Sequence, residues 1–195
     1  MSASTENYFI IGVDEAGRGP LAGPVVVGAV KCGKTSLHVL RGIKDSKKLT
    51  PKQREEWFLK LTKHPDIAWS AVKISHKTID KINIFQATNL GAWKAYKKLA
   101  GKTLCKALLD GSLKLPPHVP QRTIIKGDEK IPVISAASII AKVTRDRLMI
   151  RLHKKYPKYR FDLHKGYPTK MHRNLVLQYG RSRVHRKSFA KNLQS

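Results

Sequence analysis

Acidic residues are scarce in this chain of 195 residues: 13 Asp and Glu stand against 39 Lys and Arg, for a formal charge of +26 at pH 7. Such a surface is drawn to polyanions, of which nucleic acid is the commonest. Long apolar runs are also missing. The longest, 21–30, is interrupted by Gly23, Pro24 and Gly28, well short of the roughly 20 residues a membrane-spanning helix needs. No long basic amphipathic helix offers itself to a lipid surface. No basic stretch leads into an apolar one at the N-terminus, so neither a membrane partner nor a secretory signal is expected. The only two cysteines, Cys32 and Cys105, lie far apart without CxxC spacing. That argues against a disulfide framework and a cysteine zinc site, and a cytoplasmic setting is expected.

What is present suffices for one core. Hydrophobic residues make up 41% and aromatics 7%, and no repeat or Gly/Ser-rich linker divides the chain, so 1–195 is expected to be one domain. The positive charge is uneven. Residues 151–195 hold 13 Lys and Arg but one acid, Asp162, and four of the eight histidines: His153, His164, His172 and His185. This segment is the expected polyanion-binding arm, with Lys165, Lys170, Arg181 and Arg183 on phosphates.

Periodicity and breakers predict interleaved strands and helices. Residues 8–13 and 25–31 read as strands rich in Ile and Val, separated by a Gly/Pro-rich turn. Thr50-Pro51-Lys52-Gln53 reads as a capped helix start, with Gln53 closing a capping box and the helix running to about residue 63. Residues 67–74 read as a third strand, with Ile67, Trp69 and Ala71 on one side. A helix is predicted over 82–99 and short strands over 104–109 and 123–125. The clearest helix is 135–152, with Ala137, Ile140, Ala141, Leu148 and Leu152 along one stripe. Its opening Ser135-Ala136-Ala137-Ser138 has little bulk and would let it press close to a sheet. The expected class is α/β, a mixed sheet with helices on its faces. Trp57, Trp69 and Trp93 are expected in the core, and His164 and His172 on phosphates or the plain surface. Asp146 is expected to pair with Lys142, and Asp45 to cap a turn or orient Lys47.

The few acids are placed suggestively. Asp14-Glu15, Asp110 and Asp128-Glu129 each follow an apolar strand candidate and sit beside glycine or near it. Strand ends are where α/β proteins gather residues distant in sequence. Converging carboxylates repel and need a cation, and an all-oxygen set suits Mg²⁺ or Mn²⁺. Two such ions can activate water against a phosphodiester. An Asp before Gly is also an ordinary turn residue, and pattern alone leaves the two readings open.

The stretch Gly12-Val13-Asp14-Glu15-Ala16-Gly17-Arg18-Gly19-Pro20-Leu21-Ala22-Gly23-Pro24 closely resembles the signature of ribonuclease HII, the bacterial type 2 ribonuclease H. Further elements of that family's pattern follow in order: Asp45-Ser46-Lys47-Lys48-Leu49, Lys126-Gly127-Asp128, and the block from Ser135 to Arg147. His164-Lys165-Gly166-Tyr167 and His185-Arg186-Lys187-Ser188-Phe189 complete it. Two departures stand out. Asp110-Gly111-Ser112 replaces the usual Asp-Gly-Asn, and Gly91-Ala92-Trp93 replaces the usual Ala-Met, expected to be a change of core packing.

The resemblance implies an RNase H-like fold: a five-stranded mixed sheet flanked by helices, with a helical C-terminal segment. It implies cleavage of the RNA strand of RNA–DNA hybrids, and incision 5′ of ribonucleotides embedded in duplex DNA, leaving 3′-hydroxyl and 5′-phosphate. Asp14, Glu15, Asp110 and Asp128 become the catalytic carboxylates holding Mn²⁺ or Mg²⁺, two ions during catalysis. Gly17, Arg18 and Gly19 would read the 2′-hydroxyl through backbone groups. Tyr167 would stack on the sugar of the next, deoxy, nucleotide, with Lys165 beside it on the substrate. A monomer is expected. Rival readings are a non-catalytic basic duplex binder, indifferent to loss of Asp14, and another RNase H-like nuclease acting on branched DNA.

Overall fold

The computed structural model describes residues 9–103 and 105–190. Tyr8 and Leu104, each at the start of an expected strand, lie outside them. The elements run β1 (Phe9–Ala16), β2 (Val25–Gly33), α1 (Pro51–Lys63), β3 (Ala68–Ile74), α2 (His76–Ala100), β4 (Cys105–Asp110) and β5 (Gln121–Ile124). Four helices follow: α3 (Gly127–Lys130), α4 (Pro132–Lys155), α5 (Phe161–His164) and α6 (Lys170–Tyr179). The five strands form one mixed sheet in the order β3-β2-β1-β4-β5. β1 is antiparallel to β2 and parallel to β4. This is the expected sheet with flanking helices and a helical C-terminal segment.

Both faces of the sheet centre are covered, which is why β1 and β2 are nearly continuous apolar runs. On one face Ile11, Val13, Val27 and Leu109 pack with Ile79, Ala87, Ala92 and Tyr96 of α2. Gly91 belongs to this contact: a Cβ there would stand 2.6 Å from Val27 Cγ2. On the other face lie α1 and α4. The capping box of α1 forms as expected, Thr50 Oγ1 accepting from Gln53 N–H and Gln53 Oε1 from Thr50 N–H.

α4 approaches the sheet so closely that backbone meets backbone. A Cβ on Gly12 would fall 2.2 Å from Val133 O, and one on Gly28 would fall 2.4 Å from Ala137 O. The small residues of the helix opening allow this, as expected. The stripe does not hold. Every residue from Val133 to Ala141 is buried, because α1, the sheet and the loop through Ser46 surround this half, and further along Met149 rather than Leu148 points inward.

Other boundaries need correction. α2 begins at His76, capped by Ser75, and breaks at Asn83, where φ is +61°. Asn83 Oδ1 accepts from Gln86 N–H and re-caps the second stretch, so the predicted start at 82 caught only that part. Of the alternating set expected for the third strand, Ile67 and Ala71 pack into the core on the α1 and α4 side, while the fully inward residues of β3 are Ser70, Val72 and Ile74. β3 is an edge strand with α2 over that face, whereas Trp69 on the other packs edge-on against Phe58 and stays 39% exposed. β5 ends at Ile124, and Ile125 is 76% exposed. Trp57 and Trp93 pack against the core as expected.

The basic C-terminal segment has a small core of its own. Ala22, Met149, Tyr159, Phe161 and Val176 form it, joined by the buried rings of His164, His172 and His185. The expectation that His164 and His172 lie on the surface or on phosphates is therefore wrong: aromatic neighbours enclose them. Asp80 of α2 fastens the end of this segment, its carboxylate accepting from Lys187 N–H, Ser188 N–H and Ser188 O–H.

The backbone contact makes Gly28 intolerant. Gly28→Ala is expected to destabilise by at least about 2 kcal/mol, since the overlapping atoms are backbone and cannot rotate away. Gly19→Ala, with nothing within 4 Å of the new Cβ, should change stability by less than about 0.5 kcal/mol. Urea unfolding of both variants checks this; equal midpoints would contradict it.

Candidate active site

Two parallel neighbours set the geometry. Val13 of β1 pairs with Leu109 of β4, so the next residues, Asp14 and Asp110, stand side by side at the strand ends. Alternation points both to the α4 face, two residues beyond Gly12 and Leu108. Beyond β5, Lys126 takes a left-handed φ of +55° and turns the chain into α3, whose first turn carries Asp128. Gly127 and Asp128 donate their N–H groups to Asp110 Oδ1 at 2.7 and 3.3 Å. Gly127 has no room for a Cβ, which would lie 2.6 Å from Ile134 Cδ1. Ser135 of α4 donates to the Asp128 carbonyl at 2.7 Å and holds the turn from below.

Asp14, Asp110 and Asp128 thus each bring a carboxylate oxygen within 4.8 Å of the others. Asp14 and Asp128 are buried, Asp110 half-buried. Burial, then the charges of Glu15 and Asp110, push the Asp14 carboxyl well above its usual range. Asp110 is raised by burial and by Asp128. A cation answers this strain in one place: Lys47 Nζ donates to Asp128 Oδ2 at 2.8 Å and is itself held above its usual range by that contact. Asp45 caps the turn that presents Lys47, accepting from Lys47 N–H at 3.0 Å, and Ser46 reaches Ser138 of α4 at 2.6 Å.

Glu15 stands apart. Strand alternation turns it to the face opposite Asp14, and it is not within the group of three. Its Oε1 accepts from Arg18 at 3.3 Å, while its buried Oε2 has no partner among the described residues. Arg18 also donates to Ser112 Oγ at 3.0 Å, so the serine that replaces asparagine after Asp110 has a defined neighbour.

The glycine loop after β1 is held from within by two buried arginines that the sequence reading assigned no role. Arg186 donates to the carbonyls of Gly17, Arg18 and Gly23 at 2.7, 2.7 and 3.0 Å. Arg145 donates to those of Pro24 and Ala22 at 3.0 and 3.4 Å. Gly17, at φ +97°, must be glycine: a Cβ would meet Arg145 Nε at 1.9 Å. Burial lowers Arg186 to about 9, still charged at neutral pH. Tyr167 lies at the same end, 37% exposed, its ring 5.4 Å from the Arg145 guanidinium. Gly19 is exposed; Lys165 is half-buried, and its Nζ donates to the Asp162 carbonyl. Asp146 pairs with Lys142 at 2.9 Å, as expected.

The donor set fits a hard divalent cation. Among the described residues, three converging carboxylates, one further carboxylate with an orphaned buried oxygen, and no thiol or imidazole in the group match oxygen-seeking Mg²⁺ or Mn²⁺. The family model described as ribonuclease HII matches residues 11–192. The chain belongs to the ribonuclease HII family. It is therefore a ribonuclease H, a nuclease that hydrolyses phosphodiesters. A ribonuclease HII of Caldicellulosiruptor saccharolyticus is 46% identical over 190 residues, 96% of this chain and 90% of the relative. One of Polynucleobacter asymbioticus is 47% identical over 185 residues, 93% of each. The crystal structure of ribonuclease H2 from Pyrococcus horikoshii is similar at TM-score 0.80 and 31% identity, over 95% of this chain and 97% of that one. Bst ribonuclease HIII, solved in complex with Mn²⁺, reaches 0.78 at 17% identity over 96% of this chain and 68% of that one, a likeness of fold.

The cluster destabilises the metal-free ribonuclease. A carboxyl whose folded pKa is raised binds its proton more tightly folded than unfolded, so stability is lost as pH rises from the unfolded value of about 3.9 through the folded one. Asp14→Asn should then raise the melting temperature at pH 7 in chelator, and the gain should vanish below about pH 4. Mn²⁺ should stabilise the native chain more than the variant. Thermal melts across pH, with chelator and with Mn²⁺, check all three; a variant less stable at pH 7 in chelator would refute the account.

Proposed function

We propose that this ribonuclease cuts the RNA strand of RNA–DNA hybrids and incises duplex DNA 5′ of single embedded ribonucleotides, leaving 3′-hydroxyl and 5′-phosphate. The observation that carries the reading is the convergence of Asp14, Asp110 and Asp128 beside the braced Gly17-Arg18-Gly19 loop. Two Mg²⁺ or Mn²⁺ ions, when bound, supply an activated water and stabilise the leaving oxygen. Asp14, Asp110 and Asp128 would hold them, with the free Oε2 of Glu15 contributing from the neighbouring face. Lys47 keeps Asp128 aimed into the cluster and offsets part of its charge.

The backbone of Gly17 and Gly19 admits close approach of a 2′-hydroxyl, which both donates and accepts. With the carbonyls of Gly17 and Arg18 taken by Arg186, the loop enters this encounter already ordered. Tyr167, partly exposed beside Arg145, stacks on the sugar of the following nucleotide, where a 2′-hydroxyl would crowd the ring. Lys165 supports that turn. The exposed Lys170, Arg181 and Arg183 hold the duplex through phosphates. Among the described residues no helix is long and apolar enough to cross a membrane, and the enzyme is read as a monomer of the cytoplasm.

A labelled DNA duplex with one ribonucleotide is expected to be cut on the 5′ side of that nucleotide, only with Mn²⁺ or Mg²⁺. Asp14→Asn should slow this by at least about 10²-fold while binding persists. Tight binding without cutting under either metal would reverse the reading in favour of a basic duplex binder; cutting of branched DNA free of ribonucleotides would favour another nuclease.

Affinity should fall with salt at a log–log slope of about −0.9 per phosphate neutralised. The double substitution Lys170→Gln and Arg181→Gln should flatten that slope by about 2. A salt-independent affinity would remove the phosphate role from the C-terminal segment.

A further inference from the structure

Two of three clustered histidines beneath Tyr167 hold a hydrogen-bond chain whose direction is determined at both ends. His172 and His185 are buried, and their Nε2 atoms stand 3.1 Å apart. At one end His172 Nδ1 lies 2.9 Å from the Tyr167 carbonyl. A carbonyl only accepts, so Nδ1 carries the proton and Nε2 the lone pair. At the other end both Ser182 N–H, at 2.9 Å, and the Ser182 hydroxyl, at 2.8 Å, face His185 Nδ1. The N–H can only donate, so Nδ1 is the acceptor there and the proton sits on Nε2. The only consistent arrangement runs Ser182 N–H to His185, His185 Nε2–H to His172, and His172 Nδ1–H to the Tyr167 carbonyl. His164 stacks on His172 with ring centroids 4.2 Å apart. It donates from Nε2 to the Tyr159 carbonyl and accepts Gly166 N–H at Nδ1.

We propose that His172 and His185 are positioning residues that fix the backbone of Tyr167, and so the substrate preference of its ring, through this tautomer-locked relay. The proposal rests on the reading of Tyr167 as the residue that stacks on the sugar following the ribonucleotide. Tyr167 carries its side chain on a turn whose carbonyl also accepts Thr169 N–H at 2.8 Å. The preceding Gly166 carbonyl accepts Leu21 N–H at 2.8 Å, so the relay sets Tyr167 relative to the glycine loop. A third proton could enter only at His172 Nε2, where it would oppose His185 Nε2–H, or at His185 Nδ1, where it would oppose Ser182 N–H, so the pair works only when neutral. Burial, reinforced by the neighbouring imidazoles, holds both near 4. The charged groups acting on the cluster are Arg181 near His185, and Lys165 and Asp162 near His164.

The test separates the two nitrogens of His172. Asn presents an amide near the place of Nδ1 and can still donate to Tyr167; Gln reaches the place of Nε2 and cannot. The readout is the ratio of kcat/KM for duplexes in which the ribonucleotide is followed by a deoxynucleotide or by a second ribonucleotide. His172→Gln should lower this preference roughly fivefold, mainly through KM on the deoxy-followed substrate, and His172→Asn by less than about twofold. Equal effects of Asn and Gln, or none from Gln, would overturn the relay. Tyr167→Ala is run beside them and should erase the preference; a preference that survives it overturns the stacking reading itself, and the proposal with it. Imidazole ¹⁵N resonances of the unaltered enzyme provide a check that survives misfolding of the variants. His172 should show the Nδ1–H tautomer and His185 the Nε2–H tautomer at pH 6 to 8, and the opposite assignment of either ring would refute the chain.

Discussion

The contact on which the rest depends is that between the backbone of α4 and the backbones of β1 and β2. Gly12 and Gly28 leave no side chains at the closest points, where the helix backbone at Val133 and Ile134 meets the first and that at Ala137 and Ala141 the second. This closeness does more than fill space. It brings Ser135 within reach of the Asp128 carbonyl and Ser138 within reach of Ser46. Both loops that flank the carboxylates are thereby hung from one helix. A helix held a normal 10 Å or so from the sheet by larger side chains would leave those two hydroxyls without partners.

The carboxylates strain against that frame. At separations of up to 4.8 Å, each pair of ionised groups repels by roughly 3–4 kcal/mol at an effective dielectric of about 20. Main-chain donors on Asp110 and the Lys47 ammonium on Asp128 offset part of this; among the described residues Asp14 has only the N–H of Glu15 at 2.7 Å. The fold around the site is therefore rigid because it must hold groups that would otherwise separate. The neighbouring glycine-rich loop is held similarly, by two buried guanidinium groups on its carbonyls and by the buried side chains of Leu21 and Ala22.

Much of this was legible in the chain. The capped start of α1, the hydrophobic core of β1 and β2 and the small-residue opening of α4 follow from local rules, and each agrees with the tertiary packing. The strand-end placement of the acids pointed to the site before any resemblance was considered. What failed was the assignment of faces. Trp69 looks like a core residue by composition, yet β3 is an edge strand and α2 covers its other side. His164 and His172 look like surface residues of a basic tail, yet Tyr159 and Phe161 enclose them. Burial of a single residue depends on what packs over it, and local periodicity carries no record of the partner.

The sequence alone determined the carboxylates, the glycine loop, the order of elements and the family, because these depend on residue type and spacing along one chain. Only the tertiary structure decided that Glu15 pairs with Arg18 outside the group of Asp14, Asp110 and Asp128, that Lys47 reaches Asp128 across 81 positions, and that Arg186 returns to the loop at Gly17 across 169. It also oriented the buried histidine chain. Directional contacts between distant residues exist only once the backbone has closed, and the cost of leaving a buried charge or N–H unpaired is what then selects them.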